Sequence, residues 1–285
     1  MKLLSIFSFA LVLSFAASQS QAEGPWVGET GEQAVTASVV LDTFDDIWEG
    51  PKDVDGPGDF EQLNLWVDYS LAITDRLTMS FVTGVTRATL DRDNNVETED
   101  LEGRSDTALA VKYLLVDEFD SGGSWPSVAA KFSLISKGTY DRSKPPNVHA
   151  PGDKADGAEL LIQIGKLLDN GLALFGEVGY RTRGQEVPDD VIYNIGVNYL
   201  VVDRVSVFSR LGTERSRKGL DIKVPPFGAL GAPFHRLKEE KDTIEFGASF
   251  TLSKSQSLSF LLANVFDGRN TGQSTIVSAS YSHYF

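Results

Sequence analysis

The sequence of 285 residues lacks cysteine altogether, which excludes disulfides, thiolate metal sites and cysteine nucleophiles. Basic residues are also scarce, because 26 Lys and Arg face 40 Asp and Glu, giving a formal net charge of −14. Nucleic acid and anionic membrane surfaces would repel such a chain, so no nucleic-acid partner is expected. Hydrophobic residues make up 41% of the sequence. This is enough to bury a sizeable core, which excludes overall disorder.

Long apolar runs are missing except at the start of the chain. Lys2 precedes a run of 15 uncharged, mostly apolar residues, which is followed by small residues at Ser20 and Ala22. This pattern predicts a secretory signal peptide over residues 1–22, with cleavage after Ala22; a short membrane anchor is the alternative. Residues 23–285 would then form the mature protein, and no later run of 18 apolar residues is available for a transmembrane helix.

Instead, the mature chain shows a period of two. Leu63, Leu65 and Val67 alternate with polar residues such as Asn64 and Asp68. A period of two places successive side chains on opposite faces of a β-strand. The same alternation predicts twelve strands, with apolar faces over residues 35–41, 63–71, 77–85, 107–115, 128–134, 158–164, 172–180, 191–199, 205–211, 244–252, 258–262 and 277–285.

The connections between these strands alternate in length. Short links follow the even-numbered strands at residues 73–76, 117–125, 168–170, 203–204 and 253–255. The links after the odd-numbered strands are mostly long, at residues 44–60, 91–105, 137–155, 184–189, 217–241 and 267–272. A soluble sandwich has no reason to sort its loops by edge, whereas outer-membrane barrels have short periplasmic turns and longer extracellular loops.

The predicted fold is therefore all-β: a transmembrane antiparallel β-barrel of 12 strands with short periplasmic turns and long extracellular loops, formed by residues 23–285. Its last strand ends on Phe285, with Tyr281 and Val277 in phase. This ending resembles the terminal aromatic signal that the barrel assembly machinery of the outer membrane recognises. We therefore expect that machinery as a partner during biogenesis, and the cell outer membrane, with its lipids and lipopolysaccharide, as the final location.

Four segments of the sequence are similar to those of a known family: YSLAITDRLTM (residues 69–79), ALAVKYLL (108–115), PSVAAKFSL (126–134) and GKLLDNGLALFGEVGY (165–180). With PWVGETGE (25–32), they resemble the outer-membrane transporters of the family named for the MetA-pathway of phenol degradation. The resemblance covers most of the mature chain. It implies a barrel that carries small organic, including aromatic, compounds, and it implies neither catalytic residues nor a particular solute.

Charged side chains of both signs fall on the polar faces of the strands. Facing lipid would cost each a few kcal/mol near the midplane, so they are predicted to point into the lumen. They either form a polar constriction that selects a solute or a salt-bridged plug that only stabilises the barrel. The predicted pore-lining residues are Asp68, Lys112, Lys131, Glu159, Glu177, Arg181, Arg210 and Glu245, and Arg183 and Glu214 share their face.

Three loop segments invite a second interpretation. Residues 91–102 place Asp91, Asp93, Asn95 and Glu102 at ligand positions of a calcium loop, but Val96 replaces the glycine that the turn needs, so no metal site is predicted. Weak divalent bridging to lipopolysaccharide is the preferred interpretation. Residues 45–59 form an acidic, solvated surface. Residues 224–234 are apolar and broken by Pro and Gly, and they are expected to fold inward as a lid over the mouth.

The preferred function is an outer-membrane pore or facilitator for the passive transport of a small organic solute. The alternatives are a structural or surface-interaction barrel and, less favoured, an outer-membrane lipid hydrolase. Only three histidines exist, and Ser282 and His283 point to opposite faces of one strand, so they cannot form a catalytic pair. No enzyme activity, catalytic residue or cofactor is expected.

Overall fold

The computed structural model describes residues 24–91, 100–120, 122–141, 151–221 and 234–285. These residues form one antiparallel β-sheet and a single 3₁₀ turn at Phe234–Arg236. Among them, no helix is both long and apolar enough to cross a membrane. The strands are β1 (Gln33–Glu49), β2 (Lys52–Thr74), β3 (Leu77–Asp91), β4 (Leu101–Arg104), β5 (Thr107–Val116), β6 (Ser127–Ser136), β7 (Gly157–Leu167), β8 (Leu172–Arg183), β9 (Asp190–Val202), β10 (Val205–Ser216), β11 (Glu240–Ser253), β12 (Gln256–Arg269) and β13 (Thr275–Tyr284).

The sheet closes on itself, because β1 pairs with β2 on one side and with β13 on the other. Strands β4 and β5 are two halves of one barrel strand. Their shared neighbour β3 pairs with β4 through Val85 and Arg104, and with β5 through Val82 and Ala108. The barrel therefore has twelve strands, as predicted. Closure leaves no open sheet edge along the wall.

The two ends of the barrel differ, and we call them the turn end and the loop end. The turn end carries the connections over residues 75–76, 117–126, 168–171, 203–204 and 254–255. The start of β1 and the end of β13 lie there as well. The loop end carries the other connections, including residues 137–156 and 217–239. The predicted sorting of the five short turns to one rim is confirmed.

The prediction of a long loop over residues 44–60 is wrong. β1 and β2 continue to Glu49 and Lys52, so only a two-residue turn joins them in a hairpin that projects beyond the rest of the wall. Trp48 supports this hairpin, since it is buried and its backbone N–H donates to Thr271 O at 2.8 Å. The acidic residues of this segment lie on these two paired strands. Their high charge is typical of a solvated loop, and the sequence therefore did not predict strands here.

The two faces of the barrel wall differ as the period of two predicts. Large apolar side chains point outward: Val85 is 53% exposed and Phe246 is 52% exposed. The inner face carries small and polar side chains instead, and Thr36 and Ser282 join β1 to β13 through a 2.8 Å contact between their hydroxyl oxygens. An apolar outer surface with a polar interior is the arrangement of a membrane barrel.

Three aromatic side chains of the inner face each lie over a glycine on the neighbouring strand. The paired residues are Trp66 with Gly84, Phe175 with Gly196, and Phe208 with Gly247. A Cβ atom added at Gly196 would lie 2.3 Å from Phe175 Cζ, so the ring occupies the space that a side chain would take. At these three places a glycine therefore leaves the space that a bulky ring on the neighbouring strand occupies.

We predict that Gly196→Ala destabilises the barrel by about 1–3 kcal/mol, because the new methyl group overpacks the wall against Phe175. The double variant Gly196→Ala with Phe175→Leu should recover most of that loss. Gly176→Ala is the matched control, since an added Cβ there meets nothing closer than 3.3 Å. Guanidinium unfolding followed by tryptophan fluorescence measures the effect. Equal midpoints for Gly196→Ala and Gly176→Ala would contradict the packing argument.

Candidate functional site

The described residues of the barrel line two cavities in the lumen, one towards each end. The loop-side cavity has a volume of about 670 Å³ and the turn-side cavity about 470 Å³. Each is within the range of small-molecule sites in proteins. Lys131, Arg210, Glu245 and Ile276 line both cavities, so these four residues mark the junction between them.

Every predicted pore-lining side chain lies on the wall of one of these cavities. Asp68 and Lys112 line the turn-side cavity, and Lys131, Arg210 and Glu245 line both. The remaining three line the loop-side cavity: Glu159, Glu177 and Arg181. That a solute moves past these eight residues stays a prediction.

The junction is held by a two-pronged ion pair. Arg210 on β10 and Glu245 on β11 are direct cross-strand partners. The guanidinium donates from Nη2 to Glu245 Oε1 at 2.8 Å and from Nε to Oε2 at 3.1 Å. Bidentate pairs of this kind fix the orientation of both side chains. The ion pair therefore holds both charged groups in fixed positions at the junction.

A larger ionic network surrounds Arg181 near the loop end. Its guanidinium lies 2.8 Å from Glu159 Oε2, 2.9 Å from Glu214 Oε1 and 3.9 Å from Asp190 Oδ2. Lys241 approaches Glu214 from β11 with an Nζ–Oε2 distance of 3.6 Å. The network joins β7, β8, β9, β10 and β11, so one side of the lumen is cross-linked by charge pairs.

The loop-side cavity is acidic overall. Among the described residues, its wall carries seven carboxyl groups against four cationic side chains. One of the acids is Glu239, in the connection before β11, and burial raises the pKa of its carboxyl group. A raised pKa favours the neutral acid, so Glu239 is left out of the charge balance, and the other six carboxyl groups still outnumber the four cations. An excess of carboxylates on a low-dielectric wall concentrates cations at a mouth.

The connection between β6 and β7 narrows the loop end. Tyr140 is fully buried there: its hydroxyl donates to Asp106 Oδ1 at 2.9 Å and accepts from the backbone N–H of Lys154 at 2.7 Å. Burial, with the Asp106 carboxylate beside it, raises the pKa of Tyr140 well above its usual range. The connection continues to Asp153 on the cavity wall, and Pro151 O accepts a hydrogen bond from Gln62 at 3.1 Å.

At the turn end, residues 24–32 run into the lumen ahead of β1, and we call them the N-terminal strap. Trp26 of the strap and Trp66 of β2 both line the turn-side cavity. The indole Nε1 of Trp26 donates to Glu118 Oε1 at 3.0 Å. The strap therefore forms part of the wall of this cavity at its turn end.

Sequence reasoning missed several of these residues. Glu118 lies in a predicted turn, yet it is only 2% exposed. In the sequence, Trp26 is only part of the segment PWVGETGE, which supports a family resemblance. Lys241 lies at the boundary of a predicted loop. Asp42 continues the polar face of β1 and also lines the loop-side cavity, so the period of two could have found it.

Some of the predicted features lie on residues that the structure does not describe. Residues 92–99 of the calcium-like loop and residues 224–233 of the expected lid lie outside the described residues, as does the signal peptide. Of the histidines in the described part, His235 lines the loop-side cavity and His283 packs edge-on against Phe285, with ring centroids 4.5 Å apart. Ser282 is buried inside the wall.

We predict that Arg181→Met destabilises the barrel by about 3–5 kcal/mol, because it leaves the Glu159 and Glu214 carboxylates without their shared cation. Arg204→Met, at the exposed turn between β9 and β10, is the matched control and should change stability little. The unfolding midpoint in guanidinium measures both. A loss no larger than that of the control would show that the network contributes nothing to stability.

Tyr140→Phe should loosen the connection over residues 137–156, at a cost of about 1–3 kcal/mol, because two buried hydrogen bonds are lost with the hydroxyl. Limited proteolysis of the folded barrel should then cut this connection faster than in the wild type. Tyr193→Phe is the control, since that side chain points outward and is 50% exposed. Identical cleavage rates for the two variants would contradict the assigned role of Tyr140.

Comparison with known proteins supports the fold. A crystal structure of an outer membrane channel from Pseudomonas putida F1 superposes with a TM-score of 0.70 and 16% identity, over 93% of this chain and 99% of that one. The translocator domain of the autotransporter NalP from Neisseria meningitidis gives 0.52 and 14% identity, over 99% and 96% of the two chains. A deletion mutant of the TodX monoaromatic hydrocarbon channel gives 0.50 and 11% identity, over 94% and 91%. At these identities the similarity shows a shared barrel fold.

The sequence itself matches no protein-family model and no curated protein. The predicted family resemblance therefore stays a prediction, while the predicted 12-stranded antiparallel barrel is confirmed.

Proposed function

We propose that this protein is an outer-membrane channel for the passive transport of a small organic solute. The observation that carries the proposal is the pair of cavities in the lumen, one towards each end, whose walls share Lys131, Arg210 and Glu245. Side chains that only plugged the interior would fill this space, whereas the described residues leave cavities of about 670 and 470 Å³. The apolar outer face supports a location in the outer membrane, among its lipids and lipopolysaccharide.

The chemistry of the two cavities supports an amphipathic solute. The turn-side cavity combines apolar groups such as Trp26, Trp66 and Leu261 with the charged ends of Lys112 and Asp68. An apolar surface with a few polar groups binds small organic molecules better than it binds sugars or inorganic ions alone. A channel function agrees with the name of one structural neighbour, an outer membrane channel, and an organic solute agrees with the name of another, a monoaromatic hydrocarbon channel.

The test is single-channel recording of the purified protein in planar lipid bilayers. A passive channel gives discrete current steps at constant voltage, without any energy source. The complete absence of steps at every voltage would overturn the proposal and leave a structural or surface-interaction barrel.

We further predict that the channel prefers cations, because carboxylates outnumber cationic groups in the loop-side cavity. The reversal potential in a salt gradient measures this preference. Glu177→Gln should move the reversal potential towards zero, since it removes one lumen charge, while its carboxamide oxygen can still accept from one of the two amide groups that now donate to Glu177, those of Gln163 and Asn194. Asp203→Asn, in an exposed turn, should leave it unchanged; a channel selective for anions would contradict the prediction.

A further inference from the structure

The N-terminal strap is attached to the barrel at both of its ends. At the β1 end, the backbone N–H of Gly31 donates to Ala72 O at 2.8 Å, and the N–H of Ala72 donates to Glu32 O at 2.9 Å. At the inner end, Lys112 Nζ donates to Gly24 O at 3.2 Å. Ala72 lies on β2 and Lys112 on β5, so the strap extends from one strand of the wall to another.

Glu118 gives the strap a preformed anchor. Its carboxylate is buried in the turn between β5 and β6, and it accepts from the backbone N–H of Leu167 at 3.2 Å. Lys166 Nζ lies 3.3 Å from the same carboxylate and balances its charge. These contacts come from the barrel alone. The acceptor for the Trp26 indole at 3.0 Å is therefore held in place by groups outside the strap.

Gly165 on β7 provides the space into which the strap packs. A Cβ atom at this position would lie 2.7 Å from Pro25 Cδ and 2.8 Å from two atoms of the Trp26 ring. Pro25 is fully buried in this contact. Any larger side chain at position 165 would push the strap away from the wall, so the barrel carries a shaped seat for these two residues.

The seated strap determines how wide the turn-side cavity is at its turn end. Trp26, Val27 and Gly28 all line that cavity, together with Trp66 of β2. A solute that leaves by the turn end passes the Trp26 ring. An indole held by a hydrogen bond presents a rigid apolar surface at a fixed place.

We propose that the N-terminal strap, through Trp26 seated on Gly165 and Glu118, is the size- and polarity-selecting element of the channel at its turn end. This inference rests on the proposed channel function and adds the residues that determine its specificity. Small solutes with an apolar body pass the indole, and bulky, strongly hydrated solutes are held back.

The test compares Trp26→Ala with the wild type in planar bilayers and in liposome swelling with arabinose and raffinose. Since pore diameter sets conductance, Trp26→Ala should raise the single-channel conductance at least about twofold. The rate of raffinose entry relative to arabinose should rise as well. Trp125→Ala is the matched control, because this tryptophan lies in a turn at the same end and is 69% exposed. Heat-modified mobility on gels verifies that each variant forms a barrel.

Gly165→Val provides an independent variant, because it leaves the strap sequence intact and removes only its seat. It should reproduce the effect of Trp26→Ala. A wild-type channel whose conductance and raffinose exclusion are unchanged in Trp26→Ala would overturn the inference and leave the channel function standing. Silence of the wild type and all variants would instead overturn the channel function itself, so the two failures are distinguishable.

Discussion

Pairing of every backbone polar group along the barrel wall is the constraint on which the rest of this structure depends. A sheet with an apolar outer face has no water to satisfy its N–H and C=O groups, so β1 must meet β13. Closure then forces alternate side chains inward. The twelve strands thereby create an interior whose polar residues have to satisfy one another, and the ion pairs around Arg181 and Arg210 are the result.

The barrel could be predicted from the sequence because its signal is local. The alternation around Leu63, Leu65 and Val67 indicates which face each residue takes, and the eight residues predicted to line the pore all lie on cavity walls. The hairpin over residues 44–60 could not be predicted, because its charged residues look the same on a projecting strand as in a solvated loop. The difference is made by Trp48, which packs against a connection more than 200 residues away in the chain.

The contacts between the N-terminal strap and the barrel could not be predicted from the sequence, for a related reason. Trp26 and Glu118 are separated by 92 residues, and neither follows a periodic pattern that would bring them together. A glycine such as Gly165 also has no signal of its own, since its role is the space that it leaves empty. Sites made from a turn, a strand and an extended segment depend on the closed barrel, which local patterns do not encode.

The path of the N-terminal strap has a consequence for assembly of the barrel. The strap is the first described part of the chain, but the anchors of Gly24, Pro25 and Trp26 come from the strands and turns between β5 and β7. It therefore cannot dock until that part of the wall exists, and it adjoins β1, which forms the seam with β13. Contacts of such long sequence separation form late and slowly. The nascent lumen would thus stay wide at its turn end until β5 to β7 are in place, and docking of the strap would then give the turn-side cavity its shape.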